Sequence, residues 1–122
     1  SKFHTFFPPL RTVSETLNPL VTIIDTTVEQ DGYTILPYAD LHRKQSIEVL
    51  DYTKPLFTHV RGEIPPHVKP EVDLSRFDKF PIVFAGDLHS HSNTQRNIVY
   101  PGSPMTTSFH RNQVHTGCLL ID

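Results

Sequence analysis

Short apolar runs separated by turn residues recur along the chain and predict a strand-rich domain with few helices. The run at residues 20–25 is rich in β-branched residues, which is typical of strands. Asp31-Gly32 predicts a tight turn into a returning strand. The predicted strands are residues 20–25, 33–36, 54–60, 81–84, 97–100 and 115–121. This order of elements predicts an α/β (layered α+β) fold.

Three segments have helical patterns. Residues 41–50 place apolar side chains among charged ones and predict a modest helix. Asp73 is a suitable cap for one or two helical turns ending at Phe77. Near the start of the chain, a short helix through Leu17 follows an aromatic arm, residues 3–10, which we expect to cover a core.

The candidate chemistry is concentrated after the buried strand at residues 81–84. Gly86 permits a tight turn, and three potential metal ligands follow it, Asp87, His89 and His91. His59 stands near the end of the preceding strand. Ligands gather at the carboxyl ends of strands in layered α/β folds, so we expect these side chains to converge.

Each candidate also has a simpler interpretation. His59 can be an ordinary surface histidine, and His91 can belong to a plain polar loop. Arg96 and Arg111 flank the motif and are candidates for phosphate contacts, although exposed arginines usually form salt bridges. Cys118, inside an apolar run, is interpreted as a buried small hydrophobe. The remaining histidines are interpreted as ordinary polar residues: His4, His42, His67, His110 and His115.

Composition narrows the class of protein. The 122 residues suffice for one domain, and the formal net charge of −2 gives no basic footprint for nucleic acid. One cysteine excludes an internal disulfide framework and predicts a reducing, cytoplasmic location. No apolar run is long enough to span a membrane, so no membrane association is expected.

Two neighbouring motifs resemble those of calcineurin-like metallophosphoesterases. Gly86-Asp87-Leu88-His89 is similar to the Gly-His-x-His turn of that superfamily. Asn97-Ile98-Val99-Tyr100-Pro101-Gly102-Ser103 is similar to the "N-x-x-Y-x-G-S" segment that follows it. The strand bearing His59 resembles the isolated histidine motif. The spacing is most similar to the nuclease subunit of SbcCD-type exonucleases, from about residue 20 to residue 122.

The resemblance implies a two-metal phosphodiesterase within a β-sandwich flanked by helices. His59, Asp87 and His89 fall on positions that carry metal ligands in the family. The metal implied is manganese, with iron or zinc as alternatives. Two such ions clamp the scissile phosphate, activate water and stabilise the leaving oxygen.

The sequence departs from the family pattern in two ways. Asp87 stands where the family has histidine, so either Asp87 or His91 completes the site. The amino-terminal motifs Asp-x-His, Gly-Asp-x-x-Asp and Gly-Asn-His-Asp/Glu are absent. Residues 1–122 therefore resemble the carboxyl-terminal portion of the catalytic domain, and the missing amino-terminal half is an expected partner.

Three functions follow from the resemblance. The leading hypothesis is metal-dependent hydrolysis of DNA phosphodiesters by a recombination or repair exonuclease subunit that works with an SbcC-type ATPase. The second is a phosphoesterase acting on small phosphodiesters or phosphoproteins. The third is a non-catalytic half-domain or one piece of a split enzyme, because three ligands are too few to hold two metals.

Overall fold

The computed structural model describes residues 20–64, 68–106 and 116–122, and their strands form one five-stranded mixed sheet. The strands lie side by side in chain order, and only the β1–β2 pair is antiparallel. They are β1 (Val28–Gln30), β2 (Tyr33–Ile35), β3 (Leu56–His59), β4 (Val83–Gly86) and β5 (Ile98–Val99). The architecture confirms the predicted α/β fold class.

The helices of the described residues are short. One four-residue α-helix, α1 (Tyr38–Leu41), follows β2, and two 3₁₀ helices span Leu74–Phe77 and His91–Asn93. The carboxylate of Asp73 accepts a hydrogen bond from the Ser75 backbone N–H at 3.0 Å, which confirms the predicted cap. Among the described residues, no helix has the length and apolar character needed to cross a membrane.

The first face of the sheet carries the hydrophobic core. The strand register aligns Leu56, Val83 and Ile98, all fully buried, across three parallel strands. Tyr100 continues this layer beyond β5, and its hydroxyl donates to the Val60 carbonyl at 2.6 Å. Burial raises the pKa of Tyr100 to about 12. This contact ties the end of β5 to the end of β3, the strand that carries His59.

The second face of the sheet carries another apolar row, which is only half-buried. The register aligns Ile35, Phe57, Phe84 and Val99 across β2 to β5. We call these four residues the second-face row. The Phe57 and Phe84 rings stack with centroids 5.1 Å apart. The described part of the chain places no second sheet on this row.

Two predicted strands are wrong where the structure describes them. Residues 20–25 contain no strand, because the Asp31-Gly32 turn pairs residues 28–30 with the three-residue β2, and the ladder ends at the Val28–Ile35 pair. Residues 116–121 also contain no strand. The Gly117 N–H donates to the Ser103 carbonyl instead, and Cys118 is exposed rather than buried.

The helix predicted at residues 41–50 is also wrong. The α-helix ends at Leu41, where the prediction began, and a series of turns follows. Gln45 has a φ of 59°, which a right-handed helix cannot contain, and the Ser46 hydroxyl donates to the Leu41 carbonyl. The apolar pattern was nevertheless informative, since Leu41, Ile47 and Leu50 are buried.

Several predictions fall outside the described residues. They are the short helix through Leu17, the aromatic arm at residues 3–10, and the roles of His4, His67, His110, Arg111 and His115.

Candidate functional site

The ends of two neighbouring parallel strands bring His59 and Asp87 together. β3 ends at His59 and β4 ends at Gly86, and the register pairs these two residues. Asp87 follows directly, and its Oδ1 lies 3.4 Å from Nε2 of His59. The predicted convergence at the carboxyl ends of the strands is therefore observed for this pair.

The backbone at the end of β4 is unusual. A Cβ on Gly86 would lie 2.8 Å from Nδ1 of His59, so only glycine allows the imidazole to pack this closely on the strand. Asp87 has a φ of 116°, a region that non-glycine residues rarely adopt. Strained backbone of this kind is concentrated at functional sites, where the surrounding structure holds it in place.

His89 lies on the loop after this turn. Its carbonyl accepts a hydrogen bond from the Ser103 N–H at 3.3 Å, and its side chain is exposed. Gly102 packs against the same loop, where an added Cβ would lie 3.2 Å from the His89 carbonyl oxygen. The Gly102-Ser103 segment thus supports the loop that carries His89.

The described part of the chain does not assemble a complete set of metal ligands. In the described ranges, no group of three or more histidine, cysteine, aspartate or glutamate side chains could hold a metal ion. His91 is exposed in its 3₁₀ helix. Metal binding by His59, Asp87 and His89 stays a prediction, as does the choice between Asp87 and His91.

An open cleft of about 520 Å³ adjoins the His59–Asp87 pair. One wall is apolar and consists of Ile24, Ile35, Leu36, Pro37, Ala39 and Phe57. The polar end consists of Tyr38, His59, Arg61, Glu71 and Asp87, with Thr58 beside them. The pair thus stands at the polar end of a space large enough for a ligand.

Glu71 organises the polar end of the cleft. Its carboxylate accepts hydrogen bonds from the Tyr38 hydroxyl at 3.2 Å and from the Arg61 N–H at 2.8 Å, and lies 3.0 Å from Nε2 of His42. Burial, the negative charge of Glu71 and the hydrogen bond to it raise the pKa of Tyr38. The Tyr38 ring meets the His59 ring edge-on, with centroids 5.8 Å apart. Glu71 therefore holds the side chain that supports His59.

Sequence reasoning missed this support. The sequence predicts an ordinary polar role for His42 and gives no functional signal at Tyr38 or Glu71. Their partners are 29 and 33 residues away along the chain, so no local spacing could have indicated the contacts. In the sequence, the only indication of a role for Tyr38, His42 and Glu71 is that they lie near the ends of predicted elements.

Arg96, one of the two arginines predicted as candidates for phosphate contacts, forms an ion pair instead. The Arg96 guanidinium donates two hydrogen bonds to the Asp78 carboxylate, at 3.0 and 2.7 Å. This is the salt bridge that an exposed arginine usually forms.

Comparison with known proteins gives one informative similarity. The chain is 48% identical over 106 residues to the "Probable exonuclease subunit 1" of Escherichia phage T5. The match covers 82% of this chain and 32% of the relative, so the chain spans about a third of the length of the curated protein it matches. No protein-family model matches the sequence. No solved structure matches it either. The similarity supports a relationship to exonuclease subunits.

Proposed function

We propose that this chain is part of a metal-dependent nuclease that hydrolyses DNA phosphodiesters as an exonuclease subunit in recombination or repair. The observation that carries the proposal is the His59–Asp87 pair, 3.4 Å apart at the ends of adjacent parallel strands and open to a cleft. The similarity to the probable exonuclease subunit of phage T5 supports the exonuclease part of this function.

The donor atoms of the pair fit a divalent ion. An imidazole nitrogen beside a carboxylate oxygen suits manganese, iron or zinc. Two ligands of one such ion stand about 3 to 3.4 Å apart, which agrees with the observed separation. Bound ions would supply the positive charge that polarises a phosphodiester. His59 and Asp87 would hold an ion from this chain, with His89 as the third candidate.

The chain's own residues prepare the pair for this role. The His59 imidazole packs perpendicular to the Tyr38 ring and close to the Gly86 backbone. The turn after Gly86 presents the Asp87 carboxylate at the same strand edge. Such support keeps ligand geometry fixed before an ion arrives.

The remaining ligands would come from outside this chain. The relative is about three times longer than the matched region, and its name describes a subunit. The second-face row is half-buried and apolar, and the part of it that does not line the cleft favours a covering surface that the region missing from this chain would supply. We call this chain together with that region the complete enzyme. An SbcC-type ATPase is its proposed partner subunit, and DNA its substrate.

Two substitutions test the proposal in the complete enzyme. We expect His59→Ala to lower manganese-dependent cleavage of linear duplex DNA by about 10²-fold or more, and to lower the bound manganese measured by elemental analysis. Asp87→Gly should have the same effect on cleavage. Glycine tolerates the φ of 116° at this position. We therefore expect the free energy of unfolding of Asp87→Gly to equal that of the unmodified protein or to exceed it by up to about 1 kcal/mol.

The outcomes separate catalysis from folding. Full cleavage and full manganese content in both variants would contradict the metal role. Loss of cleavage accompanied by loss of folding in Asp87→Gly would mean that Asp87 is a structural residue.

A split enzyme is the second candidate function, favoured because the described residues assemble no three-ligand group. This chain alone would then be inactive, and adding the missing region as a separate polypeptide would restore cleavage. A binding module without catalysis would remain inactive in the same experiment.

A further inference from the structure

The four arginines in the described residues fall into two kinds. Three form ion pairs with carboxylates at 2.6 to 3.0 Å, namely Arg43 with Asp40, Arg76 with Glu48 and Arg96 with Asp78. Arg61 differs, since no carboxylate of the described residues forms an ion pair with its guanidinium. Its side chain is exposed.

The Arg61 backbone is held in place, although no carboxylate in the described part of the chain neutralises its charge. Its N–H donates to the Glu71 carboxylate at 2.8 Å, and its carbonyl accepts from the Glu71 N–H at 3.0 Å. The same carboxylate is engaged by Tyr38 and lies beside His42. Glu71 therefore anchors the Arg61 backbone, and Arg61 is one of the residues that line the cleft containing His59 and Asp87.

This arrangement matters because the cleft otherwise carries acidic groups. Asp87 and Glu71 would repel a polyanion, and the chain as a whole has a formal net charge of −2. The Arg61 guanidinium, which pairs with no carboxylate of residues 20–64, 68–106 and 116–122, carries a positive charge two residues from His59 that attracts phosphate. Its planar fork matches two phosphate oxygens, and it keeps its charge at any physiological pH.

We propose that Arg61 binds a phosphodiester of the DNA backbone beside the His59–Asp87 pair. The proposal rests on the proposed nuclease function and adds the group that positions its substrate. Arg61 would neutralise one phosphate, either the scissile one or its neighbour, and would thereby hold the DNA backbone at the pair.

The test is DNA affinity as a function of salt, measured on the complete enzyme without divalent cations so that no cleavage occurs. We expect Arg61→Gln to bind duplex DNA roughly tenfold more weakly than the unmodified enzyme. The slope of log K against log salt concentration should fall by about 1, the signature of one lost phosphate contact. Arg61→Lys should keep most of the slope, because lysine retains the charge.

Arg96→Gln is the matched control, because it removes the same charge from an arginine that Asp78 already neutralises. We expect it to change neither affinity nor slope. An Arg61→Gln enzyme that behaves like Arg96→Gln would overturn the proposal.

A small substrate with a single phosphodiester, bis-p-nitrophenyl phosphate, shows whether Arg61 contacts the scissile phosphate or a flanking one. If Arg61→Gln weakens only DNA binding, Arg61 contacts a phosphate flanking the scissile one; if it also raises KM for the small ester, Arg61 contacts the scissile phosphate. Both results support the proposal. A raised KM for the ester with unchanged DNA binding would overturn the assignment to DNA.

Failure of this inference is distinguishable from failure of the proposed function. Unchanged DNA binding in Arg61→Gln, with cleavage still lost in His59→Ala, contradicts only the role of Arg61. An unmodified complete enzyme that neither binds nor cleaves DNA contradicts the nuclease function itself.

Discussion

Two imidazole–carboxylate pairs both contact the Tyr38 ring, and they differ in almost every other respect. Nε2 of His42 lies 3.0 Å from Glu71, and these side chains are only 13% and 11% exposed. Nε2 of His59 lies 3.4 Å from Asp87, and these side chains are 52% and 33% exposed. Both imidazoles meet the Tyr38 ring edge-on.

The difference lies in what each carboxylate has left to bind. Glu71 already engages three polar groups, so its pair is part of the supporting structure. Within the described residues, the Asp87 carboxylate contacts one polar side chain, His59, and faces an open cleft on a strained backbone. An imidazole beside a carboxylate therefore does not define a site. What distinguishes the candidate site is that its carboxylate is partly exposed and still has oxygen lone pairs free to bind a ligand.

The largest expected effect comes from breaking the enclosed pair. Glu71→Gln replaces a carboxylate oxygen by an NH₂ group, which cannot accept the hydrogen bonds of neighbouring donors. We expect the free energy of unfolding of the chain to fall by about 2 kcal/mol, as measured by urea denaturation. Asp87→Asn is the matched control at the open pair and should cost less than about 0.5 kcal/mol. Equal costs at the two positions would remove the distinction between the pairs.

A smaller effect should isolate the packing of His59 on β4. The Cβ introduced by Gly86→Ala would lie 2.8 Å from Nδ1 of His59, so the imidazole must move. We expect a loss of about 1 to 2 kcal/mol in unfolding free energy. The same substitution in a His59→Ala background meets no imidazole and should cost less than about 0.5 kcal/mol. Equal costs in both backgrounds would show that the two residues are not coupled.

The fold was predictable where a short apolar run has a neighbouring strand. β2, β3, β4 and β5 each lie within a predicted strand or extend it by two residues, because runs bounded by turn residues mark buried strands. Residues 20–25 are also apolar and rich in β-branched residues, yet they form no strand. A run pairs only where the neighbouring strand is long enough to reach it. β2 offers only three residues, and composition does not reveal this limit.

The site was predictable where chain order decides proximity. His59 and Asp87 end consecutive strands that lie side by side and parallel, so their positions in the sequence were enough. Glu71 comes from an irregular segment between strands, and its contacts with Tyr38 and His42 depend on how that segment folds back. Contacts of this kind produce no periodic pattern in the sequence from which they could be predicted. The role of Arg61 also depends on a structural fact, the partners of the other arginines.

The exposed ion pair between Glu48 and Arg76 shows how much free energy of unfolding an exposed carboxylate contributes, and it gives the smallest expected effect. Two hydrogen bonds from the Arg76 guanidinium, at 2.6 and 3.0 Å, lower the pKa of Glu48 from 4.5 to about 2. The folded pKa lies below the unfolded one, so the contribution is complete above pH 4.5 and is lost as the pH falls towards 2. Since Glu48 is 43% exposed, solvent screening limits that contribution to less than about 1 kcal/mol.

This limit is tested by measuring the free energy of unfolding of the unmodified chain and of Glu48→Gln between about pH 6 and about pH 2.5. We expect a small constant difference above pH 4.5 that shrinks on acidification, because the variant has no carboxylate to protonate at this position. A difference that grew on acidification would have the wrong sign for an ion pair. A difference above about 2 kcal/mol would mean that an exposed carboxylate stabilises the chain as much as the enclosed Glu71 does. Exposure would then no longer explain why one imidazole–carboxylate pair supports the fold while the other remains available for chemistry.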